Sequence, residues 1–323
     1  MRFDIIVGNP PYQEMDGGGD STLSSKAYYN EFVNLAIDLN PKYITMIIPS
    51  RWFSYGKGVD EFRRMMLNCG KISRLVNYCD STNVFEEVNI SGGVCYFLWD
   101  KEYNSNICAY RNIGNDSPDW FFRKLNKYDV FIKYNRAISI LKKVQKHNEI
   151  TFDKTMFNRD AFGIKSTDRG KNEKTEQYNI SCKHSFDIVD YFDIEDVKNQ
   201  NLVDEYKVIV SKLTSDKPFH SRLRVLQTPN YLEPGWVCTE SYNVMHHTKN
   251  EQECKNCVAY FYTKFARFLI LMSLSGINIS SKTYQFLPIQ DFSISWTDRG
   301  LYEKYDLNSD ETDFIESLIR VME

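Results

Sequence analysis

Four consecutive residues near the amino terminus, Asn9-Pro10-Pro11-Tyr12, could hold a flat ligand that carries an amino group. They follow an apolar run, Phe3 to Gly8, that predicts a β-strand. The two prolines donate no backbone hydrogen bond and have a fixed φ angle, so the strand must end there and the loop must be stiff. In open α/β sheets, ligands bind at the carboxyl ends of strands. The loop therefore presents an amide oxygen, a backbone carbonyl and an aromatic ring where a ligand is expected.

These groups suit the methylation of an exocyclic amino group on a nucleic-acid base. Such an amine is a poor nucleophile because its lone pair is delocalised into the ring. The Asn9 side-chain oxygen and the Pro10 carbonyl would accept hydrogen bonds from the two N–H groups of the amine and free its lone pair. Removing one preorganised group of this kind costs roughly 3–4 kcal/mol of catalytic stabilisation. Tyr12 would stack on the base for about 1–3 kcal/mol. The base would first have to flip out of the duplex.

Several stretches of the sequence together resemble adenine-specific (amino-group) DNA methyltransferases of restriction–modification systems, especially type IIG-like enzymes in which methylase and recognition regions share one chain. The stretches are FDIIVGNPPYQ, YITMIIPSRWFSYGKGVDEFRRMML, NISGGVCYFLWDK, YQFLPIQDFSISWTD and IESLIRVM. The resemblance covers most of residues 1–110 and 205–323 and is weak between them. The tetrapeptide alone also occurs in methyltransferases that act on RNA or on protein glutamine, and an isolated copy could be an ordinary proline turn.

The resemblance implies roles for particular residues. Asn9, Pro10, Pro11 and Tyr12 match the catalytic motif, with Asn9 and Pro10 orienting the amino group and Tyr12 stacking on the flipped adenine. Phe85 best matches the aromatic residue that contacts the base from the opposite side, although it could instead be a core phenylalanine under a loop. The cofactor would be S-adenosylmethionine and the partner double-stranded DNA.

The residues that hold S-adenosylmethionine in this family are a Gly-rich turn and acidic residues, all upstream of the catalytic motif. Only eight residues precede the motif here, and Gly17-Gly18-Gly19 follows no predicted strand, so it is a weak substitute. The resemblance therefore implies that the chain corresponds to the carboxyl-terminal part of such an enzyme. The donor-binding half would be a separate polypeptide or would have been lost, and an exposed sheet edge at residues 3–7 would favour pairing with another chain.

The expected fold class is α/β. Residues 1–110 would form the carboxyl-terminal half of the catalytic domain: part of a Rossmann-like methyltransferase sheet, mostly parallel, with helices on both faces. Residues 111–323 would form a mixed α+β target-recognition domain. The predicted helices are 28–39, 59–67, 128–147, 258–274 and 309–322, the last capped by Ser or Asp. The predicted strands are 3–8, 43–48, 72–78, 94–99 and 207–212.

Composition limits the partners. The net charge of −3 provides no overall cationic field, so DNA would need a local basic surface. No apolar run approaches 18 residues without charge, and the eight cysteines are scattered, so we expect reduced thiols, no membrane segment and a cytoplasmic protein. The candidate basic residues are Arg123, Lys124, Lys127, Lys133, Arg136, Lys142, Lys143, Lys146, Lys217, Arg222 and Arg224.

Other readings remain open. Cys254 and Cys257 have half of a zinc-site spacing, with His246 and His247 upstream, but we expect no metal. Glu205-Tyr206-Lys207, with Asp187 and Asp190 upstream, has the acidic-x-Lys spacing of metal-dependent nucleases, which often arises by chance. The main alternative to an enzyme is a non-enzymatic DNA-specificity subunit, or an inactive remnant that lacks the methyl-donor half.

Overall fold

A computed structural model describes residues 3–15, 25–56, 58–86, 88, 90–114, 119–157, 160–185, 188–215, 222–274 and 276–322. The Gly17–Gly19 stretch, Asp187 and Lys217 lie outside the described residues. The chain folds into two compact units. Unit 1 comprises Met1–Ile138 and Met272–Gly276, and unit 2 comprises Ser139–Leu271 and Ile277–Glu323.

Helices and strands occur in both units. The strands are β1 (Ile5–Gly8), β2 (Gln13–Met15), β3 (Ser25–Ala27), β4 (Tyr43–Pro49), β5 (Ile72–Tyr78), β6 (Val94–Asp100), β7 (Ile107–Ile113), β8 (Phe121–Lys124), β9 (Ile180–Lys183), β10 (Val189–Phe192), β11 (Tyr206–Ser211), β12 (Asn230–Leu232), β13 (Trp236–Cys238) and β14 (Tyr242–Thr248). The helices are α1 (Tyr29–Asp38), α2 (Asp60–Asn68), α3 (Ala137–Gln145), α4 (Glu251–Tyr262), α5 (Lys264–Leu271), α6 (Asp298–Lys304) and α7 (Ser309–Leu318). The mixed α/β class is confirmed.

The main sheet of unit 1 has the strand order β1-β4-β6-β5-β7-β8. The pairs β1–β4 and β5–β7 are parallel, whereas β6 is antiparallel to both of its neighbours and β8 is antiparallel to β7. The expectation of a mostly parallel sheet is therefore wrong. Parallel neighbours need a crossover, usually a helix. In the described part of the segment between β5 and β6, a short 3-10 turn at Ser81–Asn83 stands where a crossover helix would be needed, so β6 returns antiparallel beside β5.

The same sheet extends past residue 110, where the sequence suggested a domain boundary. β7 ends at Ile113 and β8 adds a further strand, so the compact unit continues to Ile138. The core of this unit includes Tyr29 and Val33 of α1, Phe62 and Met66 of α2, and apolar side chains of β4, β5 and β6. The assignment of catalytic and recognition roles to the two parts of the chain stays a prediction.

Unit 2 contains two smaller sheets, with the orders β10-β9-β13 and β12-β11-β14. The predicted single helix over 258–274 is wrong, because Thr263 has an extended backbone (φ −62°, ψ 147°) that separates α4 from α5. Its hydroxyl oxygen accepts a hydrogen bond from the backbone N–H of Ala266 at 3.2 Å and so caps α5.

Two further helices differ from the sequence-based prediction. α3 begins at Ala137, not at residue 128. The cap of α7 is Asn308, not Ser or Asp: its side-chain oxygen accepts from the Glu311 N–H at 2.9 Å, and the Glu311 carboxylate accepts from the Asn308 N–H at 3.0 Å. No helix in the described part of the chain is both long and apolar enough to cross a membrane.

The position of Gly93, immediately before β6, requires a glycine. Its φ of +84° is unfavourable for other residues, and a Cβ atom there would lie 2.1 Å from the Tyr78 carbonyl oxygen. Its own carbonyl accepts from the Ser50 N–H at 2.9 Å, which joins the start of β6 to the end of β4. Gly93 thus fixes the end of the segment that connects β5 to β6.

We expect Gly93→Ala to destabilise the protein more than Gly58→Ala, the matched control. Gly58 has a similar φ of +76°, but no atom lies within 4 Å of the place that an alanine methyl group would occupy, so it carries only the backbone strain, about 1–3 kcal/mol. Gly93→Ala adds a clash with rigid backbone. Urea unfolding monitored by tryptophan fluorescence measures both. Equal losses of unfolding free energy would contradict this account of Gly93.

Candidate active site

The loop formed by residues 9–12 lies at the carboxyl end of β1. Asn9 and Pro11 are exposed, Pro10 is buried and Tyr12 is half-buried. The carboxyl end of β4 lies at the same edge of the sheet, because β1 and β4 are parallel. Asn9 is thus free to contact a ligand at this edge, while Pro10 anchors the loop.

β1 is the terminal strand of its sheet as described, with β4 as its neighbour on one side. Its side chains at Ile5 and Val7 are 59% and 73% exposed. The sequence-based expectation of an exposed strand near the amino terminus is therefore met within the described residues. An open strand edge with exposed apolar side chains can pair with another polypeptide segment.

A small antiparallel ribbon holds the far end of the loop. β2 begins directly after Tyr12 and pairs with β3, with Gln13 opposite Ala27. The backbone N–H of Tyr28 donates to the Tyr12 carbonyl at 3.2 Å. This ribbon, which the sequence did not predict, connects the loop to the start of α1.

The Tyr12 ring packs against the hydrophobic core of unit 1, and its hydroxyl is buried. Burial, followed by the neighbouring Cys95 thiol, raises the pKa of Tyr12 to about 12, so the phenol stays protonated at physiological pH. Among the described residues, the Tyr12 hydroxyl, the Tyr29 hydroxyl and the Asn30 side-chain oxygen are buried without a hydrogen-bond partner. Leaving such a group unpaired costs about 1–3 kcal/mol.

Phe85 lies close to Tyr12, as the family resemblance implied. The two ring centroids are 6.5 Å apart and the ring planes meet at 63°, an edge-on arrangement. Phe85 is half-buried and is not part of the buried core of the unit, so the alternative of a core phenylalanine is not favoured. Whether these rings hold a base stays a prediction.

The segment that carries Phe85 is held by partly buried hydrogen bonds. The Asp80 carboxylate accepts from the backbone N–H of Thr82 at 2.9 Å and starts the Ser81–Asn83 turn. The Ser81 hydroxyl donates to the Val88 carbonyl and accepts from the Ile90 N–H, each at 2.8 Å. The Phe85 N–H donates to the Ser81 carbonyl at 2.9 Å. Ser81 therefore ties both sides of the segment together.

A buried polar network, which sequence reasoning missed, lies at the same edge of the sheet. The Ser50 hydroxyl, just after β4, donates to the Asn77 side-chain oxygen at 2.5 Å. The Asn77 amide donates to the Asn112 side-chain oxygen at 2.7 Å, across the parallel pair β5–β7. Asparagines near the ends of otherwise apolar strands were the available signal. Because each asparagine is fully buried, the network fixes the relative positions of these strand ends.

Several candidate DNA-binding residues contact protein groups within their own units. The Arg123 guanidinium lies over the rings of Tyr110 and Phe131, at 4.6 and 4.3 Å, and donates to the Ile132 carbonyl. Lys143 forms an ion pair with Glu311 at 2.7 Å. The candidates with exposed side chains are Lys124, Lys127, Arg136, Lys142, Lys146 and Arg222.

The nuclease alternative at Glu205 and the zinc alternative at Cys254 and Cys257 receive no support from the described residues. The Glu205 Oε2 atom is hydrogen-bonded to the His247 Nδ1 atom at 2.6 Å. Lys207 is buried, and its ammonium group donates to the Val203 carbonyl at 3.0 Å. Within the described part of the chain, Glu205 belongs to no group of three potential metal ligands, and neither do Cys254 and Cys257. All eight cysteines are free thiols.

Comparison with known proteins identifies the kind of protein that the amino-terminal region resembles. Residues 1–85 match the family described as Eco57I restriction-modification methylase. A protein named "Uncharacterized adenine-specific methylase", from Mycoplasma pneumoniae, is 41% identical over 104 residues, which are 32% of this chain and 25% of that protein. The chain thus spans about a quarter of the length of the curated relative it matches. The resemblance to restriction–modification methylases is confirmed.

Solved structures give weaker likenesses. The type IIG restriction endonuclease BpuSI is 13% identical, with a TM-score of 0.35, covering 97% of this chain and 48% of that one. The type IIL restriction-modification enzyme MmeI in complex with DNA is 10% identical, with a TM-score of 0.46, covering 87% of this chain and 46% of that one. These likenesses are too weak to place any residue of the site.

We expect Ser81→Ala to loosen the segment that carries Phe85. The substitution removes the bond to Val88 and leaves the Ile90 N–H unpaired, a cost of about 1–3 kcal/mol. Hydrogen–deuterium exchange should become faster at residues around Phe85. Ser73→Ala is the matched control, because the Ser73 hydroxyl donates to the Leu98 carbonyl at 3.2 Å within the sheet. Unchanged exchange near Phe85 in Ser81→Ala would contradict the assigned role.

Proposed function

We propose that this chain carries the catalytic loop of an adenine-specific DNA methyltransferase of a restriction–modification system. The reaction would transfer a methyl group from S-adenosylmethionine to the exocyclic amino group of a flipped adenine. The observation that carries the proposal is the exposed Asn9 at the carboxyl end of β1, beside a Tyr12–Phe85 pair whose ring centroids are 6.5 Å apart. The match of residues 1–85 to a methylase family supports it.

Asn9 and Pro10 would act on the amino group. The Asn9 side-chain oxygen and the Pro10 carbonyl would each accept a hydrogen bond from one N–H of the amine and so localise the lone pair on the nitrogen. A bound donor would supply the electrophilic methyl group, and its sulfur would keep the electrons of the broken sulfur–carbon bond. After transfer the nitrogen carries a positive charge, which the same two oxygens stabilise until a proton leaves. Groups placed before the reaction stabilise such developing charge most effectively, and the Pro10-Pro11 backbone keeps them in place.

Tyr12 and Phe85 would hold the base between them. A base between two parallel rings needs a separation of about 7 Å, two contact distances of about 3.5 Å each. The observed centroid separation of 6.5 Å is already close to that value, but the planes meet at 63°. Base entry would therefore mainly require one ring to rotate. Phe85 is the ring that would turn, because Tyr12 packs against the core of the unit.

The methyl donor requires a site of its own. The family resemblance implies a Gly-rich turn upstream of the catalytic motif for S-adenosylmethionine, and we assign no residue of this chain to that role. We propose that another polypeptide segment bearing the donor site pairs with the open edge of β1. The exposed side chains of Ile5 and Val7 support this proposal.

Double-stranded DNA is the proposed partner. In this proposal, the catalytic part, with a partial Rossmann-like sheet, lies in unit 1, which extends past the expected boundary at residue 110, and unit 2 provides target recognition. Exposed Lys142 and Lys146 on α3, or just after it, are available for phosphate contacts. The alternative is a DNA-specificity subunit or inactive remnant without methyl transfer; absence of methylation together with retained DNA affinity would favour it.

We expect Asn9→Ala to reduce methyl transfer about 100-fold or more, because one of two oxygens on the amine is lost. The chain is expressed with its native genomic neighbours, and N6-methyladenine in the host genome is quantified by mass spectrometry and mapped by sequencing. Gln13→Ala is the control, an exposed amide one residue beyond the loop. Methylation that survives Asn9→Ala at the level of the control would rule out this assignment.

We expect Tyr12→Ala to weaken binding of the flipped base more than Tyr12→Phe. Alanine removes the ring and about 1–3 kcal/mol of stacking, whereas phenylalanine removes only a hydroxyl that has no partner in the structure. Fluorescence of 2-aminopurine, placed at the adenine that the genomic map identifies, reports whether the base is unstacked from the duplex and held. Equal damage from both substitutions would count against a stacking role.

A further inference from the structure

A second group of chemically active side chains lies in unit 2, outside the family match to residues 1–85. Cys182 lies on β9, His184 directly follows it, and Asp190 lies on the antiparallel neighbour β10. Cys182 and Asp190 are opposite each other in the strand register. Since opposite residues share a face, and residues two apart on an extended chain do too, all three side chains point to one side of the hairpin.

The three side chains converge. The Cys182 sulfur, one ring nitrogen of His184 and one carboxylate oxygen of Asp190 all lie within 4.8 Å of one another. The His184 Nε2 atom is 2.8 Å from the Asp190 Oδ1 atom. The exposed fractions are 0% for Cys182, 3% for His184 and 4% for Asp190. A thiol, an imidazole and a carboxylate are thus gathered away from water, which is costly for a carboxylate unless it is paired or binds a metal.

We propose that Cys182, His184 and Asp190 bind a divalent transition-metal ion, most favourably Zn²⁺. Thiolate sulfur, imidazole nitrogen and carboxylate oxygen are the three ligand types that Zn²⁺ takes in proteins. Three protein ligands leave a fourth tetrahedral position for a water molecule. The ion would join β9 to β10 and stabilise unit 2, because metal affinity that depends on the folded site contributes to folding free energy.

The geometry needs only small adjustments. Tetrahedral Zn²⁺ with bonds of about 2.0–2.3 Å places its ligand atoms about 3.3–3.6 Å apart. The His184–Asp190 pair, at 2.8 Å, must open slightly as the ion replaces the shared proton. The Cys182 sulfur already lies within 4.8 Å of the other two ligand atoms. The opening of the pair is within the range of side-chain rotation.

The surrounding backbone holds the ligands in position. The Gly170 N–H donates to the Asp190 Oδ2 atom at 2.7 Å, so that oxygen is oriented while Oδ1 faces His184. A Cβ atom at Gly170 would lie 2.4 Å from the Tyr191 carbonyl oxygen, so only glycine allows this approach. The backbone N–H of His184 donates to the backbone carbonyl of Ile188 at 2.9 Å. Such outer contacts commonly fix metal ligands, and losing them weakens affinity about 10–100-fold.

The alternative is a hydrogen-bonded His184–Asp190 pair beside an ordinary buried thiol. The full chain, purified without chelators, distinguishes the two. We expect one zinc per chain by elemental mass spectrometry after dialysis, and a thiolate-to-cobalt charge-transfer band when Co²⁺ is added. We also expect EDTA to lower the thermal unfolding temperature. A chain that keeps no metal, shows no cobalt band and unfolds identically with and without EDTA would overturn the proposal.

Variants locate the ion. Cys182→Ser and Asp190→Asn should each weaken metal binding by about tenfold or more. Asp190→Asn is informative because an amide oxygen can still accept from Gly170. Cys238→Ser is the matched control, a buried cysteine on the adjacent strand β13. Equal metal loss in Cys238→Ser and Cys182→Ser would overturn the assignment. If a variant fails to fold, the cobalt and EDTA measurements on the unaltered chain still decide.

Discussion

The rigidity of Pro10 and Pro11 at the end of β1 is the constraint on which the proposed catalytic site depends. A strand that ran on through these positions would keep pairing and would turn Asn9 into an ordinary sheet residue. Instead the two fixed φ angles end the strand, Pro10 is buried, and Asn9 is left exposed at the edge where β1 and β4 both terminate. Orientation of an amine by two oxygens requires this stiffness, because a flexible loop would have to be ordered during the reaction.

The segment that carries Phe85 is held by hydrogen bonds, whereas prolines stiffen the loop of residues 9–12. Phe85 lies just after the short Ser81–Asn83 turn, and a few partly buried hydrogen bonds hold the segment that carries it. Ser81 binds both sides of the segment, while Gly93 fixes its end against the carbonyl of Tyr78. The site therefore combines a stiff loop bearing Tyr12 with a segment held by hydrogen bonds, and the second is the part that can rotate a ring.

The sequence predicted local features well and long-range pairing poorly. The apolar run before Asn9, the helical period of residues 28–39 and the strand at residues 72–78 were recognisable because each pattern is local. The reversed direction of β6 was not, since strand direction depends on which neighbour it pairs with. The proximity of Phe85 to Tyr12 came from the family resemblance, not from any pattern. The Ser50–Asn77–Asn112 network and the Cys182–His184–Asp190 group arise from contacts between separate strands, which spacing alone does not reveal.

The central claim is that an adenine lies against Tyr12 when DNA is bound. Photo-crosslinking tests it directly, with a duplex in which the methylated adenine is replaced by 5-iodouracil and the attachment site is mapped by mass spectrometry. We expect the crosslink to form at Tyr12 or Phe85. Efficient crosslinking only to residues remote from both rings would contradict it.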